Sequence, residues 1–521
     1  MTREACRELI EELKRKNYTK VEFLNLKTRI SKKHGIRHIL KDSEVLGYAT
    51  KEEAEVLKGL LVRKPTRSLS GVSVVAVMSK PAPCPHGTCA YCPKGDYAPQ
   101  SYTGKEPAAL RARRNGYDPG KQVRNRVEQL TAIGHPTDKV ELIVMGGTFP
   151  AQPVEYQEQF VKGCFDAMVG TSGKNLEETI RAAEASKVRP VGVTFETRPD
   201  YCKEKDINEM LKLGVTRVEL GVQTVYDDVL EKVERKHYVE DSIEATRLLK
   251  DAGIKVNYHM MPGLPGSDRG RDIDAFREIF SSPDFRPDML KIYPTLVLKG
   301  TKLYDWWKLG EYEPLSSDEA AEIIAEAKGF VPPWVRIMRV TRDIPATLID
   351  SGVKKSNLRQ LVEGQAKAKG ISCNCIRCRE VGHRLLKEGL SPDKVEIREL
   401  GYDASNGRET FISAEDFEKR ILIGYLRLRY PSAEAFRPEV GKDSALVREL
   451  HVYGPEVRIG DESSGSEFQH KGWGKRLLER AEEIAATDGR KHILVRSGIG
   501  VRQYYRNLGY EDFGAYLKKN I

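Results

Sequence analysis

The sequence predicts an α/β protein in which a helical N-terminal segment precedes a partial (β/α) barrel, and a smaller mixed α/β domain ends the chain. Three observations carry this prediction. Apolar residues recur at helical spacing in the first 70 residues, six short apolar strands alternate with helices in the middle, and closely spaced strands follow residue 396. With 521 residues, the chain is long enough for roughly three domains of ~150 residues each.

The composition is typical of a globular protein that does not enter a membrane. Hydrophobic residues make up 40% of the chain and charged residues 31%. No apolar stretch approaches the ~20 residues needed to cross a bilayer, and the N-terminus lacks the apolar core of a signal peptide. We therefore expect a cytoplasmic protein.

Positive charge is concentrated in the N-terminal segment, where residues 1–80 hold 18 Lys and Arg against 10 Asp and Glu, out of a net charge of +10. The stretch Lys27–His38 is the most basic part. Such a patch attracts phosphate backbones without reading sequence. The alternative is a solvated helical face. The helices themselves are predicted from the spacing of Leu9, Ile10 and Leu13 and of Val56, Leu57, Leu60 and Leu61.

Six strand–helix units predict the parallel sheet of the barrel. The strands are Val72–Met78, Val140–Met145, Val191–Phe195, Arg217–Val222, Lys255–Met260 and Asp288–Tyr293. In barrels of this kind, chemistry gathers at the carboxyl ends of the strands. Those ends carry glycines or polar side chains: Gly146 and Gly147, Glu196 and Arg198, and Gln223.

Three cysteines follow the first strand within nine residues, in the stretch Cys84-Pro-His-Gly-Thr-Cys89-Ala-Tyr-Cys92. A fully protein-ligated four-iron cluster takes four thiolates, so three thiolates leave one iron open to a substrate or cofactor. Two alternatives remain from the spacing alone. The three cysteines could hold zinc with His86 as the fourth ligand, or they could be unligated thiols.

A second group of cysteines, Cys373, Cys375 and Cys378, lies in a connector predicted over residues 346–395. Nine cysteines, six of them in two tight groups, favour metal binding over disulfides. We predict a structural zinc site with three thiolates, for which His383 is one candidate as fourth ligand. The alternative is a group of free thiols.

The C-terminal part predicts strands at Glu396–Leu400, Thr410–Ser413, Ile421–Leu428, Leu446–Tyr453 and His492–Ser497. A glycine-containing loop, Gln469-His-Lys-Gly472-Trp-Gly474-Lys, opens a helix near Gly474. Consecutive amides of such a loop, together with the helix dipole, can bind a pyrophosphate.

The ordered set of strand, loop, helix, strand and Tyr504-Tyr505 resembles the GNAT acetyltransferases. The resemblance implies that acetyl-CoA binds here, with its pantetheine arm along a strand edge and its pyrophosphate on the loop. In that family a tyrosine in the position of Tyr505 commonly lies near the thioester sulfur, with Tyr504 beside it, and such a phenol could protonate the departing CoA thiolate. The alternative is that both tyrosines only pack the domain. The residues implied are Glu449, Leu450, His451 and Val452 on the edge, Gln469, Gly472, Trp473, Gly474 and Lys475 on the loop, and Tyr504 and Tyr505 as the catalytic pair.

The N-terminal half resembles the radical S-adenosylmethionine (SAM) enzymes. Four residues separate the first two cysteines, whereas the commonest loop of those enzymes has three. A radical SAM barrel fused to a GNAT domain is similar to the catalytic subunit of Elongator in its single-chain form, which fits this spacing. The stretches that carry the resemblance are Cys84–Pro93, Gln100–Pro107, Val144–Phe149, Lys291–Thr295, Glu449–Tyr453 and Phe468–Gly474. It implies four regions: a basic tRNA-binding segment (1–70), a radical SAM domain (71–345), the connector (346–395) and a GNAT domain (396–521).

The resemblance to the Elongator family implies modification of the wobble uridine of tRNA. A radical made from SAM would take hydrogen from the acetyl methyl group of acetyl-CoA, and the carbon radical would add to C5 of uridine, leaving a carboxymethyl group after hydrolysis. Cys84, Cys89 and Cys92 would hold a [4Fe–4S] cluster, and Lys139 would contact acetyl-CoA. The implied SAM contacts are Gly146, Gly147, Glu196, Arg198 and Gln223.

The expected partners are the anticodon stem-loop of a tRNA, an electron donor and a second copy of the chain in a homodimer. Two rival functions are a protein lysine acetyltransferase with a structural iron–sulfur domain and a non-catalytic RNA-binding scaffold. The first predicts acetylation without SAM or reductant. The second predicts tRNA affinity without turnover of acetyl-CoA.

Overall fold

The computed structural model describes residues 2–15, 18–36, 38–50, 52–53, 57, 61, 70–453 and 472–521. Three helices come first: α1 (Thr2–Arg15), α2 (Lys20–Lys33) and α3 (Asp42–Gly47). Leu9, Ile10 and Leu13 are buried in a small core between these helices, as their spacing predicted, and Leu57 and Leu61 join them. Val56 and Leu60 lie outside the described residues.

A sheet of seven parallel strands forms an open half-barrel, which confirms the predicted fold class. The sheet order is β1-β2-β3-β4-β5-β6-β8, so β1 and β8 are its two edges. Its strands are β1 (Ser73–Met78), β2 (Lys139–Met145), β3 (Arg189–Thr197), β4 (Arg217–Gln223), β5 (Lys255–Met260), β6 (Met289–Ile292) and β8 (Arg336–Arg339). A two-stranded antiparallel sheet beside it pairs β7 (Val297–Leu298) with β9 (Ile349–Ser351).

Helices cover the outer face of the half-barrel, where Val218, Leu220, Leu290 and Ile292 contribute to the largest apolar core. These helices are α4 (Pro107–Arg114), α5 (Pro119–Ala132), α6 (Val154–Val169), α7 (Leu176–Glu184), α8 (Glu204–Lys212), α9 (Asp227–Lys232), α10 (Val239–Asp251), α11 (Arg269–Ser281), α12 (Lys302–Lys308) and α13 (Ser317–Lys328). In the described part of the chain, no helix is long and apolar enough to cross a membrane.

The connector consists of α14 (Leu358–Ala368), α15 (Ile376–Arg379) and α16 (Val381–Glu388). A second, mixed sheet of seven strands follows in the order β10-β11-β12-β13-β14-β16-β15. Its strands are β10 (Glu396–Ala404), β11 (Gly407–Asp416), β12 (Ile421–Tyr430), β13 (Ser444–Val452), β14 (His492–Val495), β15 (Glu511–Phe513) and β16 (Tyr516–Asn520). Two helices complete it, α17 (Trp473–Thr487) and α18 (Arg502–Arg506).

Buried ion pairs fasten the second sheet beneath the amino-terminal ends of the barrel strands. Arg448 on β13 donates to both carboxylate oxygens of Asp288, at 2.6 and 2.8 Å. Arg429 on β12 donates to Asp251 at the end of α10, at 2.6 and 2.9 Å. All four side chains are buried. Charges buried this deeply must stay paired, so the two sheets are held in one relative position.

Candidate active site

The three cysteines predicted to hold the cluster lie in the loop after β1, at the carboxyl end of the sheet. The Sγ atom of Cys89 lies 3.2 Å from Nε2 of His86, and that of Cys92 lies 3.0 Å from Oγ of Ser101. Cys84 lies 3.4 Å from Oγ1 of Thr148 after β2. Hydroxyl and imidazole groups around sulfur stabilise thiolates and tune iron–sulfur sites.

The spacing of these sulfur atoms fits a cluster better than a single ion. Among the described residues, two groups of three ligand atoms lie within 4.8 Å of one another, and Cys84, Cys89 and Cys92 do not form one of them. One tetrahedral zinc ion with Zn–S bonds of ~2.3 Å would hold its sulfurs closer than this. Thiolates that bind different irons of one cluster stand farther apart.

The glycines after β2 bring backbone against the cysteine loop. Gly146 has φ of +142°, and a Cβ placed on it would lie 2.1 Å from Oγ of Ser79. A Cβ on Gly147 would lie 3.3 Å from the Gln100 carbonyl oxygen and 4.0 Å from Sγ of Cys84. Residues with side chains do not fit this close approach. The second strand end therefore presents bare backbone beside the predicted cluster.

The other predicted SAM contacts differ in what their side chains do. Arg198 is buried and donates to Asp200 and to the carbonyl oxygens of Arg235 and Lys236, so its guanidinium anchors the loop before α10. Gln223 ends β4 with φ of +75°, a strained conformation for a residue with a side chain. Strain of this kind concentrates at ligand sites, and the roles of both residues stay predictions.

Four side chains form the floor of the barrel mouth: Glu196, Glu219, His259 and Lys291. Glu219 is fully buried and accepts from His259 at 2.8 Å and from the Lys291 ammonium. Glu196 accepts from the Tyr102 hydroxyl at 2.6 Å, and one of its oxygens lies 3.8 Å from Nζ of Lys291.

Because the ammonium of Lys291 lies among the carboxylates, the mouth floor is an ion-pair cluster rather than a metal site. Burial alone would raise the pKa of Glu219, but the charges of Lys291 and His259 hold it well below its usual range. Glu219, His259 and Lys291 are not among the residues predicted for the site, although Lys291 begins one of the stretches that carry the family resemblance. The sequence signal that could have found them is the alternation of polar and apolar residues along β4, β5 and β6, in which the apolar residues face the helices.

The second cysteine group converges as the sequence predicted. The Sγ atoms of Cys373, Cys375 and Cys378 lie within 4.8 Å of one another, a spacing that suits one tetrahedral ion. His383 is buried nearby but does not belong to this group of ligand atoms. Arg420 donates to the Cys373 carbonyl oxygen at 3.2 Å and fixes the loop. Three sulfur ligands are therefore in place for a metal. Among the described residues, no histidine, carboxylate or further cysteine belongs to this group of ligand atoms.

In the second sheet, β13 and β14 run parallel and then separate. They pair from Ser444 and His492 as far as Val447 and Val495. Beyond that point Glu449, Leu450, His451 and Val452 continue β13 alongside β12. A gap between two diverging parallel strands exposes backbone that can pair with an amide-containing arm, as predicted for acetyl-CoA. The Glu449 side chain itself turns away, because it bonds Arg427 at 2.9 Å.

The described end of the predicted pyrophosphate loop, from Gly472 onward, lies next to this gap. Gln469 lies outside the described residues, whereas Gly472 adopts φ of +76° at the N-cap of α17, followed by Trp473, Gly474 and Lys475. The first-turn amides of a 15-residue helix thus open next to β13.

Tyr504 and Tyr505 sit differently beside this helix. The Tyr504 hydroxyl lies 2.9 Å from where a Cβ on Gly474 would stand, so this glycine makes room for it. Tyr505 is buried in the core of the second sheet and packs edge-on against Tyr504, with ring centroids 5.2 Å apart. Burial, with the charge of Glu479, raises the pKa of Tyr504 to about 12, which keeps its hydroxyl protonated at neutral pH. Of the pair, Tyr504 reaches the loop.

Lys139 begins β2 at the end of the barrel that faces the second sheet. Its register partner is Arg189 on β3, and a Cβ on Gly500, just before α18, would touch Arg189 at 2.6 Å. The predicted acetyl-CoA residues therefore gather at the amino-terminal ends of the barrel strands, whereas the cysteine loop lies at their carboxyl ends. The barrel strands lie between the two.

Comparison with known proteins gives similarity over nearly the whole chain. Residues 2–69 match the ELP3 N-terminal domain, residues 82–278 the Radical SAM superfamily and residues 287–368 the Radical_SAM C-terminal domain. The chain is 54% identical to a tRNA uridine(34) acetyltransferase of Methanocaldococcus jannaschii, over 94% of this chain and 91% of that protein. It is 45% identical to Elongator complex protein 3 of Homo sapiens, over 96% and 93%. The solved structure of Methanocaldococcus infernus Elp3 with N-terminus deletion (1–46) gives a TM-score of 0.79 at 50% identity, covering 87% of this chain and 100% of that one.

Proposed function

Because the chain belongs to the family of the archaeal tRNA uridine(34) acetyltransferases and Elongator complex protein 3, we propose that it modifies the wobble uridine of tRNA. The proposed product carries a carboxymethyl group on C5, made from the acetyl group of acetyl-CoA. The observation that supports the proposal is a loop of three cysteines at the carboxyl ends of the barrel strands, with the residues predicted for acetyl-CoA at the amino-terminal ends.

Cys84, Cys89 and Cys92 would hold a [4Fe–4S] cluster whose fourth iron takes SAM. When bound, this pair supplies a radical able to remove hydrogen from an unactivated C–H bond. His86 and Ser101 hydrogen-bond two of the cysteine sulfurs. The backbone of Gly146 and Gly147 lies close to the cysteine loop, where SAM would bind. Burial, with nearby arginines, lowers the pKa of His86 to about 3, so its imidazole is neutral.

Acetyl-CoA would lie in the gap beside β13, with its pyrophosphate at the start of α17 and Lys139 on the opposite rim. The arm would then point its thioester toward the barrel. Tyr504 would protonate the CoA thiolate as it leaves, with Tyr505 fixing its ring edge-on. Ordinary acyl transfer forms the new bond at the carbonyl carbon of the acetyl group. A bond at the methyl carbon would need the radical from the SAM site and the acetyl-CoA of the second site in one reaction.

The tRNA would bind by charge and by extrusion of the target base. The excess of Lys and Arg in residues 1–80 supplies phosphate contacts. The wobble base must leave its stack to enter the barrel mouth, as bases do in other enzymes that modify them. The proposal also includes a separate electron donor and a homodimeric state. It includes zinc bound by Cys373, Cys375 and Cys378.

The experiment is anaerobic reconstitution of iron and sulfide, followed by incubation with tRNA, acetyl-CoA, SAM and a reductant. Mass spectrometry of the nucleosides should show carboxymethyluridine at position 34 only with all components present. Cys89→Ala should lose the product and the iron-dependent absorbance but keep acetyl-CoA binding. Cys164→Ala, which removes a thiol buried in the barrel core, is the matched control. Acetylated lysine formed without SAM would instead support the protein acetyltransferase.

A further inference from the structure

The loop that follows the cysteines, here called the post-cysteine loop (residues 94–106), is fixed on its inner face to the predicted cluster site. Gln100 donates to Sγ of Cys92 at 3.3 Å, and Oγ of Ser101 lies 3.0 Å from the same sulfur. The hydroxyl of Tyr102 donates to a carboxylate of the mouth floor at 2.6 Å. The post-cysteine loop therefore lies at the carboxyl ends of the barrel strands, directly beside the three cysteines.

The outer face of the same loop carries Tyr97, the most exposed large apolar side chain in the described part of the chain, at 78%. Its side chain makes no aromatic contact, hydrogen bond or ion pair with another described residue. Its backbone has φ of +55°, which is uncommon for a bulky residue, and the Tyr117 hydroxyl donates to its carbonyl oxygen. Strain that holds an exposed ring away from any packing partner points to a ligand rather than to stability.

Positively charged side chains surround this ring. The two ends of the post-cysteine loop touch each other, because a Cβ on Gly104 would lie 3.4 Å from the carbonyl oxygen of Asp96. Asp96 is the one exposed carboxylate of the loop, since Glu106 is buried. Each end of the loop carries a lysine, and α4 ends in two arginines just before the tyrosine that holds the loop. All four cations are exposed and form no ion pair with another described residue: Lys94, Lys105, Arg113 and Arg114.

An exposed ring among unpaired cations is how many proteins hold single-stranded nucleic acid, because bases stack on the ring and the cations contact the phosphates. An acidic peptide would use the cations alone and would leave the ring without a flat partner. We infer that Tyr97 stacks on an anticodon-loop base that flanks the wobble position, while the four cations contact the adjoining phosphates. This inference rests on the proposed function. Because Tyr97 follows Cys92 by only five residues, the stack would fix the anticodon loop beside the cysteine loop.

The test removes the ring and the base separately and then together. The full chain, reconstituted with iron and sulfide, is titrated with a fluorescent anticodon stem-loop RNA, either intact or made abasic at one or the other neighbour of the wobble nucleotide. Tyr97→Ala should weaken binding of the intact RNA roughly tenfold, as loss of one stacked base does, and Tyr97→Phe should keep the wild-type affinity. One of the two abasic RNAs should bind wild type roughly tenfold more weakly than intact RNA, yet bind Tyr97→Ala as well as intact RNA does.

Phe417→Ala is the matched control, because Phe417 is also an exposed ring, on the turn between β11 and β12, but already lies 3.9 Å from the guanidinium of Arg398. It should bind every RNA as wild type does. The salt dependence separates stacking from charge. Tyr97→Ala should leave the slope of log Kd against log salt unchanged, whereas Lys94→Gln and Lys105→Gln should each reduce it by ~0.7.

Two results would overturn the inference while leaving uridine modification standing. One is a Tyr97→Ala affinity for intact RNA within about twofold of wild type. The other is a loss of affinity in Tyr97→Ala that adds in full to the loss caused by each abasic RNA. Wild type that binds none of these RNAs would overturn the proposed function and the inference with it.

Discussion

Replacing Asp288 by alanine should weaken the junction between the two sheets more than any surface change could. Its carboxylate accepts two bonds from Arg448 and one from the backbone N–H of Val256 at 2.8 Å, and Arg427 lies 3.6 Å away. Removing one partner of a buried pair leaves the other charge without compensation, which costs about 3–5 kcal/mol. For a domain of ordinary size this corresponds to a melting temperature lower by ~6–20 °C.

Urea denaturation followed by tryptophan fluorescence is the assay, because Trp334 lies at this junction and stacks on Tyr402 with ring centroids 4.0 Å apart. Asp284→Ala is the control, since that carboxylate is exposed four residues earlier. A free energy of unfolding within about 1 kcal/mol of the control, as expected for surface positions, would refute the reasoning.

Four further outcomes are expected. Tyr504→Phe should slow tRNA-stimulated hydrolysis of acetyl-CoA by ~100-fold with unchanged acetyl-CoA affinity, as loss of a general acid does, and an unchanged rate would exclude that role. Gln223→Gly should raise the melting temperature by relieving ~1 kcal/mol of strain while weakening SAM binding; a lower melting temperature would contradict the strain. Burial alone would raise the pKa of Glu449, but two neighbouring cations lower it to about 2. Its stabilising effect should therefore be present above the ordinary carboxyl range near pH ~4.3 and be lost as pH falls toward 2, and Glu449→Gln should flatten that limb of the stability profile. Cys375→Ser should release bound metal, measured by mass spectrometry, and lower thermal stability; retention of the metal would show that the sulfurs do not bind it.

The elements with strong apolar periodicity could be predicted closely from the sequence. The strand predicted at Val72–Met78 forms over Ser73–Met78, and Lys255–Met260 has the predicted limits. The seventh barrel strand, Arg336–Arg339, escaped prediction because four residues with arginine at both ends carry no apolar pattern. Its place in the sheet is decided by tertiary pairing with β6 rather than by local preference.

The residues of the candidate sites divide in the same way, into those that local sequence predicts and those that depend on tertiary structure. Sequence spacing brought out Cys373, Cys375 and Cys378, because local chain geometry alone can bring them together. Glu219 and Lys291 could not be found that way. Their significance lies in which face of the sheet they occupy and in what lies opposite, and both depend on strand register.

The junction beneath the barrel has a consequence for how this protein can change over generations. Three buried arginines of the C-terminal half form ion pairs with carboxylates of the barrel half: Arg427, Arg429 and Arg448. Replacing the C-terminal half by one from an unrelated enzyme would leave Asp251 and Asp288 buried without their arginine partners. Substitutions at this junction are therefore expected to be tolerated only when both partners of an ion pair change together.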